Sequence, residues 1–135
     1  MMDSNQDMIL NFMKMKIIII IFLPCFFALT AVAANWQLQA EIDHLITYVK
    51  SSDCQFIRNG KAHTPDEAVE HIMKKFDHFE DRIKTAEDFI EYCASKSILS
   101  RQPYKIGCPG QEVVNSKDWF LEELERFRNK QSHID

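Results

Sequence analysis

The chain is poor in glycine. Three glycines in 135 residues leave no glycine-rich loop whose backbone amides would cradle a phosphate. There is no C-x-x-C pair, no G-x-S-x-G and no H-E-x-x-H. These absences remove the paired-cysteine redox motif, the serine-hydrolase elbow and the helical zinc-protease signature. Basic charge is not in surplus either: 16 Lys and Arg against 20 Asp and Glu give a net charge of −4. With no long block of like charge, nucleic acid is not an expected partner. No internal repeat or low-complexity tract appears, so one folded domain is expected.

What is present begins with an address. Lys14 and Lys16 precede an apolar run from Ile17 to Leu29, followed by Thr30-Ala31-Val32-Ala33-Ala34. A charged start, an apolar run and a small-residue site together read as a signal peptide over residues 1–33, cut after Ala33. The exported domain then runs from Ala34 to Asp135, and Met13 and Met15 are alternative starts. The rival reading is an uncleaved anchor helix. Spanning takes about 20 apolar residues, and Pro24 with the terminal alanines argues against it. Pro24 before Cys25, inside the apolar run, also argues against lipid attachment there. Removing Lys14, Lys16, Asp3 and Asp7 leaves the net charge unchanged. The expected location is periplasmic or secreted, with no stable membrane anchor after cleavage.

The exported part is organised around Cys54 to Glu67. Cys54, Phe56 and Arg58 alternate as on one side of a strand. Asn59-Gly60 is a turn signal, because both residues tolerate positive φ. Thr64-Pro65-Asp66-Glu67 is a helix start with a capping box and a proline where no donor is needed. Before this segment, Leu38, Ile42, Leu45 and Val49 predict an amphipathic helix over 35–50. After it, Val69, Ile72, Met73, Phe76 and Phe79 form one apolar side of the second helix, with His71, Lys74, Lys75 and His78 mostly elsewhere. Thr85 and Asp88 cap a third helix carrying Ala86, Phe89, Ile90, Cys93 and Ala94. Tyr104 to Cys108 reads as a second strand, stopped by Pro109-Gly110. Ser116 is expected to cap a last helix with Phe120, Leu124 and Phe127 at helical spacing, acids early and bases late. The fold class is α+β and mostly helical: four helices and a two-stranded antiparallel sheet, in the order α-β-α-α-β-α.

Several blocks occur in one order. They are Phe56-Ile57-Arg58-Asn59-Gly60, His63-Thr64, Glu67-Ala68, Thr85-Ala86-Glu87-Asp88-Phe89-Ile90, Ala94-Ser95-Lys96-Ser97 and Pro103-Tyr104. The pattern resembles the DUF5329 family, small exported bacterial proteins of uncharacterised function that include YfeK-like proteins. The resemblance runs from about Glu41 to Phe127. Ile98-Leu99-Ser100-Arg101 departs from it, standing where a more polar, glycine-containing loop is expected. The resemblance implies a compartment and a shared fold, and it brings no catalytic residues to transfer.

Cys54, Cys93 and Cys108 remain after the leader is removed. If the two strands pair antiparallel with Cys54 opposite Cys108, then Phe56 faces Ile106 and Arg58 faces Tyr104. That register is self-consistent, and in an oxidising compartment it supports a Cys54–Cys108 disulfide. The alternative is three reduced thiols. Cys93 falls on an apolar stripe, where a free thiol behaves as a small hydrophobe.

Arg58, Asn59, Lys61, His63 and Tyr104 make up the candidate ligand-binding site. Arg58 can grip a carboxylate or phosphate with two bonds near the positive end of the second helix. Against this stand Asp66 and Glu67 in the same turn, and an Arg58 that merely stacks on Tyr104 or pairs with an acid. His63, Glu67 and His71 are spaced by four, but His63 precedes the helix, so no metal site is expected. Ser95-Lys96-Ser97 is read as a helix end, since neighbouring side chains do not face each other. No cofactor and no catalytic residue is assigned. The expected role is a non-enzymatic binding or interaction module, for an envelope protein or a small anionic ligand. The alternatives are a cryptic hydrolase or anion-handling enzyme at Arg58, His63 and Tyr104, or a purely structural envelope factor. The intact mass of protein recovered from the periplasm should correspond to a chain beginning at Ala34. A mass that retains residues 1–33 would instead indicate the anchor helix.

Overall fold

The computed structural model describes residues 8–11 and 33–133. The apolar run from Ile17 to Leu29, and with it most of the expected leader, lies outside the described residues. The chain divides into two compact units, Met1–Gln37 and Leu38–Asp135. In the first, residues 8–11 and 33–37 are helical. The second unit carries everything that follows.

Residues 38–50 form helix α1, which buries Ile42, Leu45 and Val49 at the expected helical spacing. Strand β1 (Gln55–Arg58) and strand β2 (Lys61–His63) follow, then helix α2 (Pro65–Phe79). The capping box is complete: the Glu67 amide donates to Thr64 Oγ1, and the Thr64 amide donates to Glu67 Oε2. A short 3-10 turn (Glu80–Arg82) fills the predicted charged break. Helix α3 (Ala86–Phe89) starts on a second capping box between Thr85 and Asp88, and continues as a π turn through Ile90–Ala94. Ser95 Oγ donates to the Ile90 carbonyl at 2.7 Å, the five-residue reach that a widened turn leaves open. Strand β3 (Lys105–Gly107), strand β4 (Val114–Asn115) and helix α4 (Ser116–Ser132) complete the unit.

The sheet has four strands in the order β2-β1-β3-β4, all antiparallel, where two were expected. The expected central pair is there, in the expected register: Gln55 faces Gly107, Phe56 faces Ile106 and Ile57 faces Lys105. The additional strands are short and lack apolar alternation. Lys61-Ala62-His63 is recruited because Asn59 (φ 50°) and Gly60 (φ 76°) both take positive φ, the turn whose twist matches a tight hairpin. At the start of α4, Asn115 occupies the cap position without a side-chain bond, and Ser116 is the buried first helical residue. The expected Ser116 cap is thus displaced by one residue, because the Ser116 amide already donates to the Tyr104 carbonyl.

The core lies where the π turn packs between α2 and α4, around fully buried Phe89, Ile90, Phe120, Leu45 and Ile106. The far end of α4 is fastened by Arg128, which donates from Nε and Nη2 to the two oxygens of buried Glu41 at 2.8 Å each and also bonds Glu87. This forked pairing ties α4 to α1 and to the start of α3.

Cys54 and Cys108 are disulfide-bonded across a sequence separation of 54 residues. Cys93 is a buried free thiol whose pKa burial pushes up to about 12, so it is not a thiolate at neutral pH. Closing a loop of this length constrains the unfolded chain by roughly 4 kcal/mol. Cys54→Ser should lower the unfolding free energy in urea by about that amount. Thiol counting on the denatured, unreduced protein lacking residues 1–33 should find Cys93 alone, whereas three reactive thiols would refute the bridge.

Candidate functional site

Register and turn chemistry place the first group. Arg58 ends β1 just before the Asn59-Gly60 turn, so its side chain is carried beside the chain entering β3. Tyr104 stands at that entry, held on both sides: its amide donates to the Ser95 carbonyl and its carbonyl accepts from the Ser116 amide, each at 2.9 Å. Helix α2 supplies the opposite wall. His71 Nε2 and the Tyr104 hydroxyl are hydrogen-bonded at 3.0 Å, with the rings edge to face at 5.8 Å.

Lys75, one turn further along α2, is 4% exposed. Its Nζ donates to the Lys96 carbonyl at 2.7 Å and lies 5.1 Å from the centre of the Tyr104 ring. A carbonyl and a ring face thus satisfy the buried ammonium, with no carboxylate among the described residues bonded to it. Arg58 likewise has no hydrogen bond or ion pair from its guanidinium among the described residues.

Electrostatics follow from this crowding. Burial, reinforced by Arg58 and Lys75, pushes the His71 ring down to about 4, so the imidazole is neutral at pH 7. Burial lowers Lys75 to about 8, with nearby Lys96 and Arg58 adding to the effect. Tyr104 is pushed up, chiefly by burial, and keeps its proton.

Two cavities share the wall formed by Arg58, His71 and Tyr104. A narrow one of about 30 Å³ is lined by apolar side chains such as Phe56, Ala68 and Ile72, with His63 and Glu67 beside them. The wider one, about 380 Å³, adds Asn59, Lys75 and the loop carrying Ile98 and Leu99. That volume falls in the range of small-molecule sites.

Of the residues singled out from the sequence, Arg58, His63 and Tyr104 line the narrow cavity, and Arg58, Asn59 and Tyr104 line the wider one. Asn59 also accepts a 2.8 Å hydrogen bond from Ser100. Lys61 lines neither cavity. It is exposed on edge strand β2, facing Arg58 across the hairpin. His63 turns toward Glu67, with Nδ1 3.6 Å from Oε2, and so belongs to the helix start. The expected ring contact of Arg58 is made by Lys75 instead.

Sequence reasoning placed Lys75 and His71 off the apolar side of α2, and the structure moves both inward. A signal existed: Ala68, Ile72 and Lys75 share one face at i, i+4 and i+7. A lysine in that stripe marks a buried cation.

These features define a small disulfide-bridged α+β domain with a half-buried cationic cleft between its sheet and one helix. The chain belongs to the DUF5329 family, a family of unknown function, which matches residues 36–128. A curated relative, the uncharacterized protein YfeK of Salmonella typhimurium, is 38% identical over 71 residues, covering 52% of this chain and 59% of the relative. The chain thus spans less than two thirds of that relative's length. No solved structure matches.

The pKa of His71 has a consequence for stability. Between pH 6.5 and about 4 the unfolded chain binds a proton at this ring that the folded protein does not. The stabilising contribution is complete above pH 6.5 and is lost as acid is added through that window. His71→Gln should flatten the fall in urea stability between pH 6.5 and pH 5. An unchanged slope would show that the ring is not the group responsible.

Proposed function

We propose that this protein is an exported, non-enzymatic binding module that captures an anionic group, a carboxylate or phosphate, in the cleft between Arg58 and Lys75. The observation that carries the reading is two neighbouring cations without a bonded carboxylate among the described residues. Among the described residues, Arg58 lines both cavities with its guanidinium unpaired, and buried Lys75 is hydrogen-bonded only to a neutral carbonyl. Cations held in a partly desolvated cleft attract an anion more strongly than the same charges in water. The guanidinium fork suits two oxygens of one group. An ammonium has three donors, and the Lys96 carbonyl uses one of Lys75's.

The Tyr104 hydroxyl and the neutral His71 ring supply further polarity at the same wall. Capture is favoured over catalysis because a protonated phenol and a weakly basic imidazole make a poor nucleophile and base. Export is supported by the leader pattern and by the Cys54–Cys108 bridge. Among the described residues no helix is long and apolar enough to cross a membrane.

The test is titration with inorganic phosphate, and separately with acetate, followed by amide NMR shifts. Signals of β1, α2 and residues 97–104 should move. Arg58→Ala should weaken binding by about tenfold or more, the scale of a lost charge-assisted bond, with the melting temperature retained. Arg58→Lys, which keeps the charge but not the fork, should fall between the two. Arg58→Ala binding like the parent, or an absence of shifts, would defeat the reading.

A further inference from the structure

The loop over residues 97–101 holds one aliphatic side chain that none of the described residues covers and a second that is half-covered. Leu99 is 94% exposed and Ile98 47% exposed. This is not a frayed connection. The Ser97 amide donates to the Gln102 carbonyl, the Arg101 amide donates to the Ser97 carbonyl, and Lys96 bridges to Pro103 at the base. Ser100 Oγ donates to Asn59 Oδ1 at 2.8 Å, fastening the tip to the β1–β2 hairpin. A closed and tethered loop thus holds two adjacent apolar side chains outward.

A cleft flanks the loop on each side, and both clefts are basic. One contains Arg58 and Lys75; the other, of about 320 Å³, contains Arg82, Lys96 and Arg101. Among the described residues Glu91 is the one carboxylate lining either, and it is already bonded to Lys96 and Lys117 at 2.6 and 2.8 Å. The whole chain carries a net charge of −4, so this face is charged against the sign of the molecule.

We infer that residues 97–101 are a docking tip for an anionic lipid surface, with Leu99 and Ile98 entering the acyl boundary and the flanking cations meeting headgroup phosphates. An exposed apolar tip ringed by cations matches the order of a bilayer, apolar within and anionic at its surface. A soluble anion lodged in either cleft would leave Leu99 in water, whereas a bilayer covers tip and clefts together. The inference goes beyond the anion cleft, with which it shares Arg58.

The experiment is co-sedimentation of the protein, purified from cells expressing the full chain, with phosphatidylglycerol–phosphatidylcholine vesicles and with pure phosphatidylcholine vesicles. Partitioning should be about tenfold or more stronger on the anionic vesicles and should weaken with salt. Leu99→Asp, at a site whose exposure spares the core, should reduce it by about tenfold, and Arg101→Glu should reduce it as well. Arg101→Glu, at a residue that lines the other cleft and not the one holding Arg58, should keep the inorganic phosphate shifts of β1 and α2, which separates this surface from the anion cleft. Partitioning that is absent, equal on both vesicle types or unaffected by Leu99→Asp overturns the inference. The last of these is also what a retained leader would produce, and the first is what a protein partner on the tip would give.

Discussion

The pairing of β1 with β3 is the constraint on which the remaining structure depends. It joins two stretches of chain about fifty residues apart, so it is made against loop-closure entropy. Four residues show what it fixes. Cys54 meets Cys108 in a bond, and Phe56 meets Ile106 in the core. A slip of one residue would leave Phe56 and Ile106 on opposite faces, turning one of them to solvent, and would part the two sulfurs. The same register brings Arg58 beside Tyr104, so the cleft and the staple are two ends of one ladder. The helices between the strands are then held in a closed loop, and α2 has little choice but to pack across the sheet.

The second organising feature is a cation in an apolar stripe. Removing an ammonium from water is costly unless polar groups replace the lost hydration. At Lys75 the replacements are a backbone carbonyl and the face of Tyr104. At Arg128 the fold uses two carboxylates instead, and that cation is held tightly, with its pKa raised. The contrast separates the two sites chemically. Charge at the α4 end is neutralised within the fold and fastens helices together. At the α2 cleft, burial, reinforced by the neighbouring cations, lowers Lys75 and keeps His71 uncharged. A bound anion would ease both, so occupancy of the cleft and protonation of its walls are linked.

Much of the fold is legible residue by residue. The Thr64 and Thr85 caps, the buried stripe from Ala86 to Ala94 and the pairing of Phe56 with Ile106 follow from local preference and period. The short strands β2 and β4 do not, because neither Lys61-Ala62-His63 nor Val114-Asn115 carries an apolar pattern. They become strands only by lying against a ladder that already exists. The cap of α4 is read one residue late for a similar reason: the Ser116 amide is taken by the Tyr104 carbonyl. Within the cleft, Arg58 and Tyr104 are legible through the register. Lys61 pairs with Arg58 but stands exposed on the edge strand, outside both cavities, and His71 and Lys75 are missed because polar residues are assigned outward by default.

Sequence alone determined the helices, the starts of α2 and α3, the register of β1 with β3 and the partner of Cys54. Each depends on short-range stereochemistry or on a period that one segment carries within itself. Tertiary structure alone decided that Lys75 lies buried against Tyr104, that His71 bonds the same phenol, and that Leu99 stands uncovered between two basic clefts. Those outcomes depend on which surfaces meet when α2 crosses the sheet. No stretch of chain encodes that by itself, because the free energy of burying a side chain belongs to the assembled neighbours and not to the segment that supplies it.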